Sequence, residues 1–206
     1  MQRICSVAAA MVGLSLTLGV APSWAQRPPT NDTSDNMGNT AGGTGALTSS
    51  TPGNFNTAYG NAALRTNTGN SNTAVGTIAL SFSGTGNNNT AIGNLPLNSI
   101  TSTDNNTAIG ASALTNSTGS DNSAVGLLAL GKSTTGSGNT AIGENALGDN
   151  STGSNNIAIG LDAGSKLTSG SDNIYLGAES AVSESKTMRL GQDQTHTFVA
   201  GIAVTL

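Results

Sequence analysis

The feature that most constrains this chain is a short phrase that returns at a fixed interval. Asn139-Thr140-Ala141-Ile142-Gly143 comes back further along as Asn156-Ile157-Ala158-Ile159-Gly160. With the closing glycine as anchor, the copies end at Gly43, Gly60, Gly76, Gly93, Gly110, Gly126, Gly143, Gly160 and Gly177. The spacings are equal to within one position: only the steps from Gly60 to Gly76 and from Gly110 to Gly126 are one shorter than the rest. Four positions before each anchor stands an asparagine: Asn39, Asn56, Asn72, Asn89, Asn106, Asn122, Asn139, Asn156 and Asn173. Ala-Leu follows three and four positions after most anchors, as in Ala63-Leu64 and Ala146-Leu147. A fixed period of this length is the mark of a stacked repeat architecture, in which one unit cannot bury its own apolar face and its neighbours do so.

The two shorter units show where a residue can be lost. A second glycine (Gly53, Gly69, Gly86, Gly119, Gly136, Gly153, Gly170) always stands three positions before the next repeat asparagine. The lost residue therefore lies between Ala-Leu and this glycine. Surface loops tolerate such changes, so that stretch is expected to be the loop and the rest to keep strict register.

A helix is a poor reading of units rich in Asn, Thr, Ser and Gly, which are weak helix formers. Short runs of small or β-branched residues bounded by turn residues predict strands, one at Asn-Thr-Ala-Ile-Gly and a second around Ala-Leu. The predicted fold is all-β: a parallel β-roll, or β-solenoid, of about nine coils. At about 4.8 Å per strand this makes a rod of roughly 43 Å. Alternation along the phrase puts Asn and Ala on one side. Thr is on the other, together with Tyr59, Val75, Ile92, Ile109, Val125, Ile142, Ile159 and Leu176. Small residues suit a narrow interior. The larger column is then either the interior after all or an outer association surface; we take the second and expect an oligomer.

Composition narrows the function. Only 9% of residues are charged and 3% aromatic, against about 25% charged in an ordinary soluble domain. The net charge is −4 and the seven basic residues are scattered, which excludes a nucleic-acid partner of the usual kind. Residues 1–25 read as a signal peptide. Arg3 heads an apolar run from Val7 to Val20, and Ser23-Trp24-Ala25 precedes a cut at Gln26. The run is too short for a transmembrane span, so the protein is expected to be exported from a bacterium to the surface, medium or periplasm, without an integral membrane anchor. Cys5 would leave with the signal, and disulfides then play no part. Residues 26–38 read as a flexible leader, 39–181 as the repeat domain and 182–206 as a C-terminal cap and oligomerisation segment.

No catalytic, cofactor-binding or metal-binding residue is proposed. His196 is the single histidine and has no partner at metal spacing. No G-x-S-x-G elbow occurs. Asp104, Asp121 and Asp172 lie singly in turns and read as turn formers. The asparagine column reads as a ladder of amides bonded from coil to coil.

The phrases NTAIG and NSAVG followed by AL resemble the head repeats of YadA-type trimeric autotransporter adhesins, and also repeats of tail-fibre-like proteins. The likeness covers residues 39 to about 181. It implies a left-handed β-roll, a homotrimer, and attachment to a host matrix protein or glycan. The segment Met188 to Ile202 resembles the stretch that precedes a self-cleaving chaperone domain in tail-fibre-like proteins. The adhesin heads have a shorter repeat, and neither heptad stalk, membrane barrel nor chaperone domain is seen here, so self-anchoring and autocleavage are not carried over. The leading expectation is a non-enzymatic adhesin-head-like protein. The alternatives are a tail-fibre-like spacer without its own ligand and, behind it, a carbohydrate-active β-helix enzyme, which would need two carboxylates facing across a cleft.

Overall fold

The computed structural model of the protein describes residues 33–48, 53–99, 102–192 and 194. Each repeat phrase is a short strand: β2 (Thr40–Gly42), β3 (Thr57–Tyr59), β4 (Thr73–Val75), β5 (Thr90–Ile92), β6 (Thr107–Ile109), β7 (Ser123–Val125), β8 (Thr140–Ile142), β9 (Ile157–Ile159) and β10 (Ile174–Leu176). A further strand, β11 (Met188–Leu190), follows. These ten strands form one parallel sheet in sequence order, each paired with its own copy in the next coil. The fold is a β-solenoid of about nine turns.

At the N-terminal end β1 (Thr33–Ser34) pairs antiparallel with β2. The end of the segment read as a leader thus covers the open edge of the first coil. Asp35 ties this arm down, accepting bonds from Asn39 N–H and Nδ2 at 2.9 Å each. At the other end Met188, Arg189 and Leu190 stand opposite Ile174, Tyr175 and Leu176. Part of the segment read as a cap is therefore one more coil, and a shortened one, since Ile174 to Met188 spans fewer positions than Ile157 to Ile174. Its remainder, with Phe198, Val199, Ile202 and Val204, lies outside the described residues, as does His196.

Columns of alanine, leucine and asparagine fill the interior. The strand alanines, from Ala58 to Ala158, are fully buried, and so are the Ala-Leu pairs from Ala63-Leu64 to Ala146-Leu147. The repeat asparagines are buried too, and they form a continuous ladder. Each side-chain oxygen accepts the backbone N–H of the next asparagine. Asn106 Oδ1 takes Asn122 N–H, Asn122 Oδ1 takes Asn139 N–H and Asn139 Oδ1 takes Asn156 N–H, each at 3.0 Å. The side-chain NH₂ donates to the carbonyl three positions before the next asparagine, as from Asn139 Nδ2 to Gly153 O at 2.9 Å. Buried amides placed this way find partners for both ends, the condition under which polar side chains are tolerated inside.

The anchor glycines have two reasons to be glycine. Gly60 to Gly160 hold φ between 123° and 138°, a region closed to other residues. A Cβ there would also collide with the next coil in most cases, as at Gly143 with the backbone of Gly160.

The Ala-Leu corner departs from expectation, because it is a turn and not a second strand. The leucines sit at φ 47° to 51° (Leu47, Leu64, Leu80, Leu97, Leu114, Leu130, Leu147). Left-handed backbone costs a residue with a Cβ about 1–2 kcal/mol. The flip swings each leucine N–H along the rod axis, onto the alanine or proline carbonyl of the next coil, as from Leu147 N–H to Ala163 O at 2.9 Å. From Leu64 onward each flip thus buries a leucine and also adds an inter-coil bond. The corner is laddered without being a strand.

Candidate interaction surface

Alternation along each strand decides what faces out. With the central alanine inside, the first and third residues point away from the interior. The third-residue column is on the surface: Tyr59, Val75, Ile92, Ile109, Ile142, Ile159 and Leu176 are 38% to 44% exposed. Val125 is half-buried. Beside it runs the first-residue column, half-buried Thr57, Thr73, Thr90, Thr107, Ser123 and Thr140, ending in exposed Ile157 and half-buried Ile174. Leu127, Leu128 and Leu161 widen the apolar band where the chain leaves the strand. In the strands β2 to β10 this face carries no charged side chain.

The loops expected to vary lie elsewhere around the coil. Their cations are held by the next coil. Arg65 stacks over Phe82 with the guanidinium carbon 4.7 Å from the ring centre. Lys132 pairs with Asp149 at 2.7 Å, and Lys166 pairs with Glu179. All are exposed contacts, each contributing little to stability, but they run along the rod and do not converge on a common point. The acids behave likewise. Asp104 Oδ1 accepts Asn87 N–H at 2.7 Å, Asp121 Oδ1 accepts Asn105 Nδ2 at 3.0 Å, and Asp172 Oδ1 accepts Asn155 Nδ2 at 3.2 Å. These carboxylates bond the preceding coil, where the sequence suggests bonding within their own turns. Among the described residues no three metal-capable side chains come together.

One loop position gives no signal in the sequence. The seventh residue after the anchor turns inward: Asn67, Ser83, Ser117, Ser133, Asn150 and Leu167 are buried. Asn150 pairs with both the N–H and the carbonyl of Gly153. A mixture of Asn, Ser and Leu at one position has no periodic apolar character, so the pattern reads as surface.

The last coil holds a polar cluster around Glu184. Tyr175 replaces the usual interior alanine and is fully buried, and Gly164 leaves room for its ring. Its hydroxyl donates to Glu184 Oε1 at 2.9 Å, and Arg189 holds the same carboxylate through Nε at 2.9 Å and Nη2 at 2.6 Å. The Arg189 guanidinium, and then the Tyr175 hydroxyl, keep Glu184 below the usual carboxylate range. Burial, followed by the Glu184 contact, pushes the Tyr175 phenol up. This cluster plugs the interior and has the form of a structural cap.

Compared with family models, with curated proteins and with solved structures, the chain matches none.

Proposed function

We propose that this chain is an exported, non-enzymatic attachment protein of adhesin-head type. Three copies of a left-handed β-roll would lie side by side, and the rod they form would present repeated weak contacts to a host matrix protein or glycan. The observation that carries this reading is the outer apolar column from Tyr59 to Leu176, about two-fifths exposed and without a charged neighbour in its strands. A patch of that length on a soluble rod marks an association surface. The test has two arms on residues 26–206. Sedimentation gives the assembly state, and a glycan and matrix-protein binding screen gives the attachment. A trimer that retains at least one ligand class supports the reading; a trimer that binds nothing in the screen removes the attachment half of it.

The second reading, a tail-fibre-like spacer, has its own support. Arg65, Lys132 and Lys166 engage the next coil, so the loop cations stiffen the rod instead of reaching outward. A spacer forms the same assembly and stays silent in the binding screen.

A further inference from the structure

Around the second glycine of the repeat, the chain is polar in every coil from Thr68 to Ser171. The residue before that glycine is a threonine or a serine each time, from Thr68 and Thr85 to Thr152 and Ser169, and each is exposed. The residue after it runs from Asn70 and Asn87 to Ser154 and Ser171. The residue between the two columns is buried in every one of these coils. The two columns hold no apolar, aromatic or basic side chain, and their single acid is Asp104. Earlier in the loop stand residues as different as Arg65, Phe82 and Lys132, so exposure alone does not impose hydroxyls here.

The hydroxyls of the C-terminal half are placed to bond something else. Ser137 Oγ accepts Ser120 N–H at 3.1 Å, Ser154 Oγ accepts Ser137 N–H at 3.1 Å, and Ser171 Oγ accepts Ser154 N–H at 3.0 Å. Each bond fixes the oxygen and leaves its O–H unspent, because a hydroxyl both accepts and donates. In the other column Thr118 donates to Thr134 O at 2.8 Å, but the side chains of Thr135, Thr152 and Ser169 make no hydrogen bond among the described residues. Donors fixed before binding have little side-chain freedom left to lose, and these recur at the coil spacing of about 4.8 Å.

The composition of the face selects its partner. Protein interfaces are anchored by aromatic, Met and Arg side chains, and an acidic polymer is drawn by cations. Neither kind of group is present, and Asp104 repels an acidic polymer. A neutral sugar chain is the complement, with hydroxyl and ring oxygens repeating along its length. We infer, resting on the attachment reading above, that attachment is made through this face, chiefly over residues 118–171, and that its ligand is a neutral glycan lying along the rod. Each hydrogen bond only replaces one to water and is weak alone; repetition along the rod multiplies the contacts. The face shares no residue with the apolar column, so one chain carries both surfaces.

Immobilised mannan, dextran and galactan test this on the full chain, with heparin as the acidic polymer and gelatin as the protein. At least one neutral polysaccharide should retain the chain more strongly than heparin or gelatin does. Thr135→Val with Thr152→Val removes two exposed hydroxyls at constant shape and should weaken that binding at least about fivefold, with an unchanged thermal midpoint. Thr77→Val, the same change just after the anchor Gly76, should leave binding unaltered. Retention on gelatin or heparin alone would overturn the neutral glycan and leave attachment standing, whereas retention on none of these materials would overturn both. Neutral binding that the double variant keeps in full, or that Thr77→Val loses equally, would overturn the placement on this face.

Discussion

At the residue scale the fold is held by two columns whose members do not tolerate replacement, for different reasons. Asn139 receives Asn156 N–H on Oδ1 and donates to Gly153 O, with every partner buried. Asn139→Ala leaves the Asn156 N–H unpaired, at about 1–3 kcal/mol, while Gly153 O keeps Asn150 Nδ2. The expected loss in urea unfolding is therefore at least about 1–3 kcal/mol, whereas Asn116→Ala, exposed in a loop and outside the left-handed region, should fall within about 0.5 kcal/mol of the parent. The glycine column gives a sharper contrast. Gly143 combines φ 133° with a blocked Cβ position, while Gly177 has φ 60° and nothing within 4 Å of a Cβ. Gly177→Ala should cost about 1–2 kcal/mol for left-handed backbone alone, and Gly143→Ala should prevent folding or cost far more. Equal midpoints for the two variants would mean that coil stacking does not exclude a side chain at Gly143.

At the scale of the element, the interior volume sets the limits. Ala141 is fully buried at the centre of β8, and Ser151 is part of the loop. Ala141→Leu should overpack the coil and cost about 1–3 kcal/mol or more, with Ser151→Leu nearly neutral; a thermal melt of each decides it. Glu184 offers a pH readout. Its native carboxyl is held low by Arg189, so its contribution is present above the ordinary carboxyl range and is lost as pH falls through the lowered native value. Stability of the parent minus that of Glu184→Gln should therefore shrink on acidification below about pH 4.5, and a difference independent of pH would show that the charge contributes nothing. The same elements show what is legible in the sequence. The spacing of Asn and Gly announces parallel strands in strict register, because side chains that repeat at one position can only stack. The Ala-Leu corner is not legible. Leucine rarely adopts left-handed backbone, and burial of its side chain together with a hydrogen bond to the neighbouring coil stabilises it there, which no local propensity records. The outer face follows from alternation alone, but the inward turn of Asn67 and Asn150 in the loop does not, since Asn150 is set by its bonds to Gly153 and Asn67 by bonds to Gly69, Asn72 and Ser83.

For the whole molecule, the question is whether the outer column suffices to hold copies together. Full burial of a Val or Ile side chain stabilises by about 1.5–3 kcal/mol, and this column has roughly two-fifths of its area left to bury. Eight such side chains then contribute roughly 5–10 kcal/mol per chain, set against an association cost of about 4–15 kcal/mol. The two are of the same size, so assembly depends on the full length of the stripe. Interrupting it in the middle should be enough to abolish it. Residues 26–206 should sediment at about three times the chain mass. The double variant Ile109→Lys, Ile142→Lys should run as a monomer with an unchanged β-type circular dichroism spectrum, because both side chains point away from the core and lysine is accommodated on an exposed strand face. Substituting Thr68 and Thr118, exposed in the loop on another side of the coil, with lysine should leave the trimer intact. If the parent chain is instead a folded monomer at micromolar concentration, the stripe does not drive assembly, and the adhesin-head reading loses the observation on which it rests.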